Sequence, residues 1–157
     1  MNRAELMTEI DHRWHLIDDL VNQASAAQLL EAAPGSEAKA SGWTVGEVLL
    51  HMAGWKRRAL VTALRLARDP DAGDEEINRT QFSDWREYND GLQERCTGVA
   101  TDQILAEHRA AHAELIAAVT GLPDSCLLTD GDARFWLRPL LAHTYDHLNT
   151  DLRPVLG

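Results

Sequence analysis

Seven histidines carry most of the chemistry open to this sequence, and three pairs of them fall at helical spacing. His12 and His15 are three residues apart, and His108–His112 and His143–His147 are each four apart, so both rings of a pair share one helix face. Two imidazoles one turn apart can hold one metal ion, at about 2.0–2.1 Å per nitrogen for zinc. A third ligand from another helix would leave positions open for water or substrate, the arrangement of a catalytic rather than a closed structural site. His12 and His15 sit among Asp11, Arg13, Asp18 and Asp19 and read as a solvated face. His108 and His112 lie beside Glu107, Arg109 and Glu114. His143 and His147 flank Tyr145 and Asp146 in a segment otherwise rich in Leu and Ala, which makes them the stronger metal candidates.

The elements that must position these rings are helices. Asn2 or Thr8 starts the first, whose stripe is Leu6, Ile10, Trp14, Ile17, Leu20 and Val21. Ser25 caps a short turn through Leu29 and Leu30, Pro34-Gly35 breaks the chain, and residues 31–42 read as a polar loop. Thr44 and Glu47 form a capping box at the start of the second helix, which is expected to reach about Arg68 before Asp69-Pro70. Val45, Val48, Leu49, Met52 and Trp55 recur there at helical spacing, and His51 lies beside that stripe. A histidine so placed needs a hydrogen bond, a carboxylate or a metal ion. The connection from Asp69 to Ala100 is long, with a helical piece around residues 84–96, and can return the chain in the same direction. The third helix is expected to be capped by Thr101, to carry Ile104, Leu105, His108, Ala111, Leu115, Ile116 and Val119, and to end at Gly121-Leu122-Pro123. Residues 126–134 read as a loop. The last helix is expected to begin near residues 136–139, with Pro139 in its first turn, and to stop at Pro154. No strand signal of comparable quality appears. The result is one all-α domain over residues 1–157, a four-helix bundle whose second and third helices are roughly parallel.

Composition narrows the function classes. Apolar residues make up 45% and charged residues 25%, as in a soluble globular domain. The net charge of −10 argues against nucleic acid and anionic membrane surfaces as partners. Cys96 and Cys126 form no framework or metal-type spacing and read as reduced thiols of a cytoplasmic protein. Charges interrupt the N-terminal apolar pattern, which is not that of a signal peptide, and no apolar run approaches a membrane span.

Two stretches resemble a known family. Trp43-Thr44-Val45-x-Glu47-Val48-Leu49-x-His51-Met52-Ala53-Gly54-Trp55 is similar to the second-helix signature of the DinB-like four-helix-bundle superfamily. Leu137-Arg138-Pro139-Leu140-Leu141-Ala142-His143-Thr144-Tyr145-Asp146-His147 is similar to its last-helix signature. That superfamily includes damage-inducible DinB-type proteins, thiol-dependent transferases and maleylpyruvate isomerases, and the first stretch also resembles its ClbS/DfsB branch. The resemblance implies an up-down-down-up bundle, a homodimer, and a metal triad of one histidine on the second helix and the H-x-x-x-H pair on the last. Here those positions are His51, His143 and His147. Members of the ClbS/DfsB branch often lack the full triad, whereas this chain keeps all three.

Other residues have candidate roles. Trp43, Trp136, Arg138 and Tyr145 are expected to bind substrate, with Arg134 a further candidate for holding an anion and Tyr88 and Asn89 for a pocket wall. Trp55 reads as core. Asp146 can orient a ligand histidine or face solvent. Trp14 is the candidate dimer contact, although it also fits the core stripe. Two functions follow. One is a metal-dependent enzyme using nickel, zinc or iron on a small molecule, as a thiol transferase with a low-molecular-weight thiol cosubstrate, an isomerase or a hydrolase. The other is a metal-free ClbS/DfsB-like binding or protection protein. Metal binding is expected to weaken as pH falls through about 6.5, because the imidazoles must be neutral.

Overall fold

Reciprocal capping sets the start of three helices in the computed structural model, which describes residues 1–157, Ser36 by its backbone alone. Asn2 accepts from the Glu5 N–H at 3.0 Å while Glu5 accepts from the Asn2 N–H at 2.8 Å, opening α1 (Arg3–Gln23). Ser25 and Gln28 do the same for α2 (Ala26–Leu29). The expected box of Thr44 and Glu47 is formed, with the Glu47 N–H donating to Thr44 Oγ1 at 3.2 Å and the Thr44 N–H to Glu47 at 2.7 Å. It opens α4 (Val45–Leu66), two residues shorter than expected.

Differences from the sequence reading have local causes. The polar loop contains α3 (Ser36–Ser41), closed by Gly42 at φ 72°, a left-handed cap that glycine adopts without strain. The long connection holds α5 (Asp74–Phe82) as well as the expected α6 (Trp85–Cys96). Asp74, Glu75 and Glu76 in the first turn of α5 favour its N-terminal dipole. Ala100, not Thr101, is the N-cap of α7 (Thr101–Thr120). Residues 124–134 form α8 (Asp124–Leu127) and a two-residue ladder, β1 (Leu128–Thr129) against β2 (Asp132–Ala133), turned by Asp130 and Gly131 at positive φ.

The last helix is not continuous. A 3₁₀ turn (Phe135–Leu137) precedes α9 (Ala142–His147), a π turn (Leu148–Leu152) follows, and α10 (Arg153–Leu156) ends the chain. Pro154 therefore does not stop the helix. It lies in the first turn of α10, and it has no N–H to continue the ordinary ladder, so the chain passes through a wider turn just before it.

Two apolar clusters fill the interior. Leu6 and Ile10 of α1, Ala59, Ala63 and Leu66 of α4, Leu115 and Val119 of α7, and Leu140 belong to one. Ile17 and Val21, Val45 to Met52, Ile104, and Leu148 and Leu152 belong to the other. The starts of α4 and α7 thus share one cluster and their ends share the other, so these helices run the same way. The first and last helices run opposite to them. Between the clusters, every one of these helices carries polar or polar-handled residues: Trp14, Lys56, His108 with His112, and His143 with Thr144 and His147.

Candidate metal centre

His51 lies in the second turn of α4, its position along the helix set by the Thr44–Glu47 box. His143 and His147 project one turn apart from α9. The His143 Nε2 is 3.1 Å from the His51 Nε2 and 3.2 Å from the His147 Nε2. Ligand atoms of the three residues all lie within 4.8 Å of one another. His51 is 1% exposed and His147 5%.

An aspartate that sequence reading missed orients one ring. His147 Nδ1 is 2.7 Å from Asp151 Oδ2. An ionised carboxylate only accepts, so Nδ1 carries the proton and the Nε2 lone pair faces the other two rings. Asp151 also accepts from the Gly35 N–H at 2.8 Å and from Thr150 Oγ1 at 2.9 Å. Burial alone would raise its carboxyl, but these hydrogen bonds, led by that of His147, hold it below the usual carboxylate range. Gly35 is close enough that a Cβ there would collide with this carboxylate. Its signal in the sequence is the third step of an i,i+4,i+8 series, 143–147–151, whereas Asp146, the other candidate to orient a ligand, is exposed.

Two of the rings, His51 and His143, are held neutral. Burial, helped by His147 and opposed by Asp151, pushes His51 down to about 3. Burial, then His147, His51, Arg138 and Lys56, puts His143 well below its ordinary value. The expected titration of the ligands near 6.5 is thereby corrected for these two, since desolvation penalises the imidazolium.

This donor set fits a divalent transition ion. Two nitrogens bound to one ion at tetrahedral or octahedral angles are about 2.8–3.4 Å apart; the two separations from His143 fall inside that window, and the third pair of ligand atoms lies within 4.8 Å. Protons alone satisfy the cluster poorly. With the His147 Nε2 unprotonated, only one neighbouring pair can share a hydrogen bond, while the buried Nδ1 atoms of His51 and His143 have no partner among the described residues.

A cleft of about 440 Å³ opens onto His143. Trp55, Phe82, Trp85 and Phe135 give it aromatic walls, and Arg138, Glu37 and Asn89 give it polar groups. The Trp55 indole donates to Asn89 at 2.9 Å, and Tyr88 packs edge-on against Trp55 while donating to the Gly54 carbonyl at 2.7 Å.

The candidate substrate residues divide. Arg138 lines the cleft, and Trp43 packs against His51 with ring centroids 4.4 Å apart. Trp136 does not line the cleft: it is 0% exposed in the core and donates to the Cys126 carbonyl. Tyr145 is also displaced, on the outer face with Arg13 over its ring. Both placements follow from the broken last helix, which a continuous helical reading cannot phase. Arg134 is structural, buried and bonded to Asp74 and to the Ala72 and Ser125 carbonyls. Trp55, read as core, is buried and also walls the cleft. His12 and His15 are exposed as expected, and His108 and His112 lie outside the triad. Trp14 is half-buried, stacked on His112 and His108.

Cys96 and Cys126 are free and buried. Among the described residues, no helix is long and apolar enough to cross a membrane. Neither a curated protein nor a solved structure matches the chain. A family model does, over residues 9–150, and its description is the DinB superfamily. With its all-α fold, its three clustered histidines and a match across most of its length, the chain belongs to the DinB superfamily.

Proposed function

We propose that His51, His143 and His147 hold one divalent ion of nickel, zinc or iron through their Nε2 atoms, and that the protein is a metal-dependent enzyme acting on a small molecule in the adjoining cleft. The observation that carries this reading is the His147–Asp151 hydrogen bond, which leaves a lone pair aimed at the other two imidazoles. A bound ion would act as a Lewis acid, polarising a carbonyl or lowering the pKa of a water or thiol. The chain's own residues do the rest. Asp151 fixes the His147 tautomer, burial keeps His51 and His143 unprotonated, and the aromatic walls exclude water from an apolar substrate body. Arg138 and Glu37 at the cleft can orient charged groups.

Family resemblance supports thiol-dependent transfer, isomerisation or hydrolysis as the reaction, with a low-molecular-weight thiol as cosubstrate for the first. It also supports a homodimer, and the unpaired buried cysteines accord with a reducing, cytoplasmic setting. The metal-free ClbS/DfsB-like alternative is separated by metal analysis of protein purified without an affinity tag. The expected result is one ion per chain, lost in His147→Ala while helical content is kept. Wild-type protein that takes up none of the three metals on reconstitution refutes the enzyme reading in favour of the alternative. Sedimentation at micromolar concentration tests the dimer.

A further inference from the structure

The polar layer between the two apolar clusters carries a second group of buried nitrogens. Lys56 of α4 is 1% exposed, and His108 and His112 of α7 are 0% and 9% exposed. Lys56 Nζ, both ring nitrogens of His108 and the His112 Nδ1 have no hydrogen-bond partner among the described residues. Trp14 of α1 closes over them. Its ring stacks on His112 at 3.8 Å between centroids and 7° between planes, and on His108 at 4.8 Å and 30°. Lys56 Nζ lies 4.6 Å from the centre of the same ring, a placement that favours the charged amine.

No carboxylate answers this group. Besides burial, the charges that act are Lys56, His112 and Arg109 on His108, and Lys56 and His15 on His112, each positive when charged. The Lys56 amine is pushed down to about 7 by burial, with no opposing acid. An ammonium offers three donors and a neutral imidazole one, so the protonated cluster is rich in donors and carries an uncompensated positive charge. Buried polar groups are partnered as a rule, and a buried charge is paired. One ligand meets both requirements together.

We infer that Lys56, His108 and His112 form a binding site for one small monovalent anion, of halide or formate size, separate from the metal ligands. The anion pairs with the Lys56 ammonium and takes an N–H from each imidazole, in the layer that Trp14 closes. A metal ion is disfavoured there by the ammonium and by the lack of carboxylate. Trp14 is half-buried and His112 reaches the surface slightly, so entry lies between α1 and α7.

The test uses full-length, metal-stripped protein in gluconate buffer at constant ionic strength, titrated with chloride and read by chlorine-35 NMR line width and by Tm. Saturable line broadening with a saturable rise in Tm is expected. In Lys56→Met, which keeps the apolar stem, both should be lost or weakened at least tenfold, with the circular dichroism spectrum unchanged. Wild-type protein gives a readout independent of that variant: chloride affinity should fall at least tenfold between pH 6 and pH 9, as the amine loses its charge. Formate competing with chloride would extend the site to small carboxylates, and failure to compete would restrict it to halides; each is a form of the same site. No saturable response, a response unchanged in Lys56→Met, or broadening that appears only after metal is restored overturns the inference, the last by moving the anion to the metal centre.

Discussion

His147 Nδ1 and Asp151 Oδ2 are 2.7 Å apart across one helical turn, with His147 5% and Asp151 1% exposed. The bond turns an i,i+4 pair into a directional device, because it decides which nitrogen of the ring is free. Asp151→Asn keeps the shape but weakens the acceptor and its hold on the tautomer. Metal affinity, read by competition with a chromophoric chelator, is expected to fall about 10–100-fold, while far-ultraviolet circular dichroism stays the same.

Gly35→Ala should reproduce part of that loss without touching any ionisable group. The backbone at Gly35 has φ −58°, which any residue tolerates, so only the approach of Asp151 excludes a side chain. The added methyl must push the carboxylate away from its position against the Gly35 N–H. Chelator competition should show affinity falling between those of wild type and Asp151→Asn. Unchanged affinity would mean that the loop does not help to hold Asp151.

Thr44→Ala removes one half of the box that starts α4. Loss of such a cap costs about 1 kcal/mol, to be read as a lower urea midpoint with unchanged slope. Metal stoichiometry should stay at the wild-type value, because the packing of Val48, Leu49 and Met52 keeps α4 in register.

Arg138→Ala tests the cleft apart from the metal. Arg138 is exposed at the mouth, so its hydrogen bond to an anionic group is partly screened. Binding of benzoate, followed by quenching of tryptophan fluorescence, is expected to weaken about threefold to tenfold, with metal content unaltered. Equal affinities would remove Arg138 from the substrate residues.

Acid should destabilise the fold through His108 and His112. Burial pushes His112 down to about 3 and holds His108 well below its ordinary value, so neither takes up a proton in the folded state as pH falls through 6.5. In the unfolded chain both do. The unfolded state then binds more protons, and stability declines as pH drops from 6.5 towards the folded values. Each ring contributes a slope of about 1.4 kcal/mol per pH unit well below 6.5. Urea unfolding of His108→Leu/His112→Leu between pH 6 and pH 4.5 should lack about two protons' worth of that slope.

Much of this was legible in the residues. The 3.6-residue stripes of α1, α4 and α7 and their caps are local signals, and so is the i,i+4 pair of His143 and His147. The partnership with His51 needed the family resemblance, since no local pattern tells which helices touch. Asp151, Gly35 and the cleft residue Phe135 are placed by the π turn, the start of α3 and the 3₁₀ turn respectively, three short elements that a continuous helical pattern does not show. The positions of Trp136 and Tyr145 are not legible for the same reason: an aromatic in a broken helix cannot be assigned a face by counting residues. The burial of Lys56 is not legible in the residues, because a lysine in an amphipathic helix usually extends to solvent, and here Trp14 covers it.

The layer of histidines, lysine and indole that divides the two apolar clusters has a consequence for how the molecule opens. Each half of the bundle has its own apolar packing, and between them lies a seam held by stacking and cation–π contacts, with several buried nitrogens left unpartnered among the described residues. In the unliganded protein amide exchange is expected to report the two halves as separate foldons, the half around Leu115 and Trp136 apart from the half around Val48 and Leu148. Metal at the histidines ties α4 to the last helix across that seam, so occupancy would be felt far from the site, as one cooperative opening where there had been two.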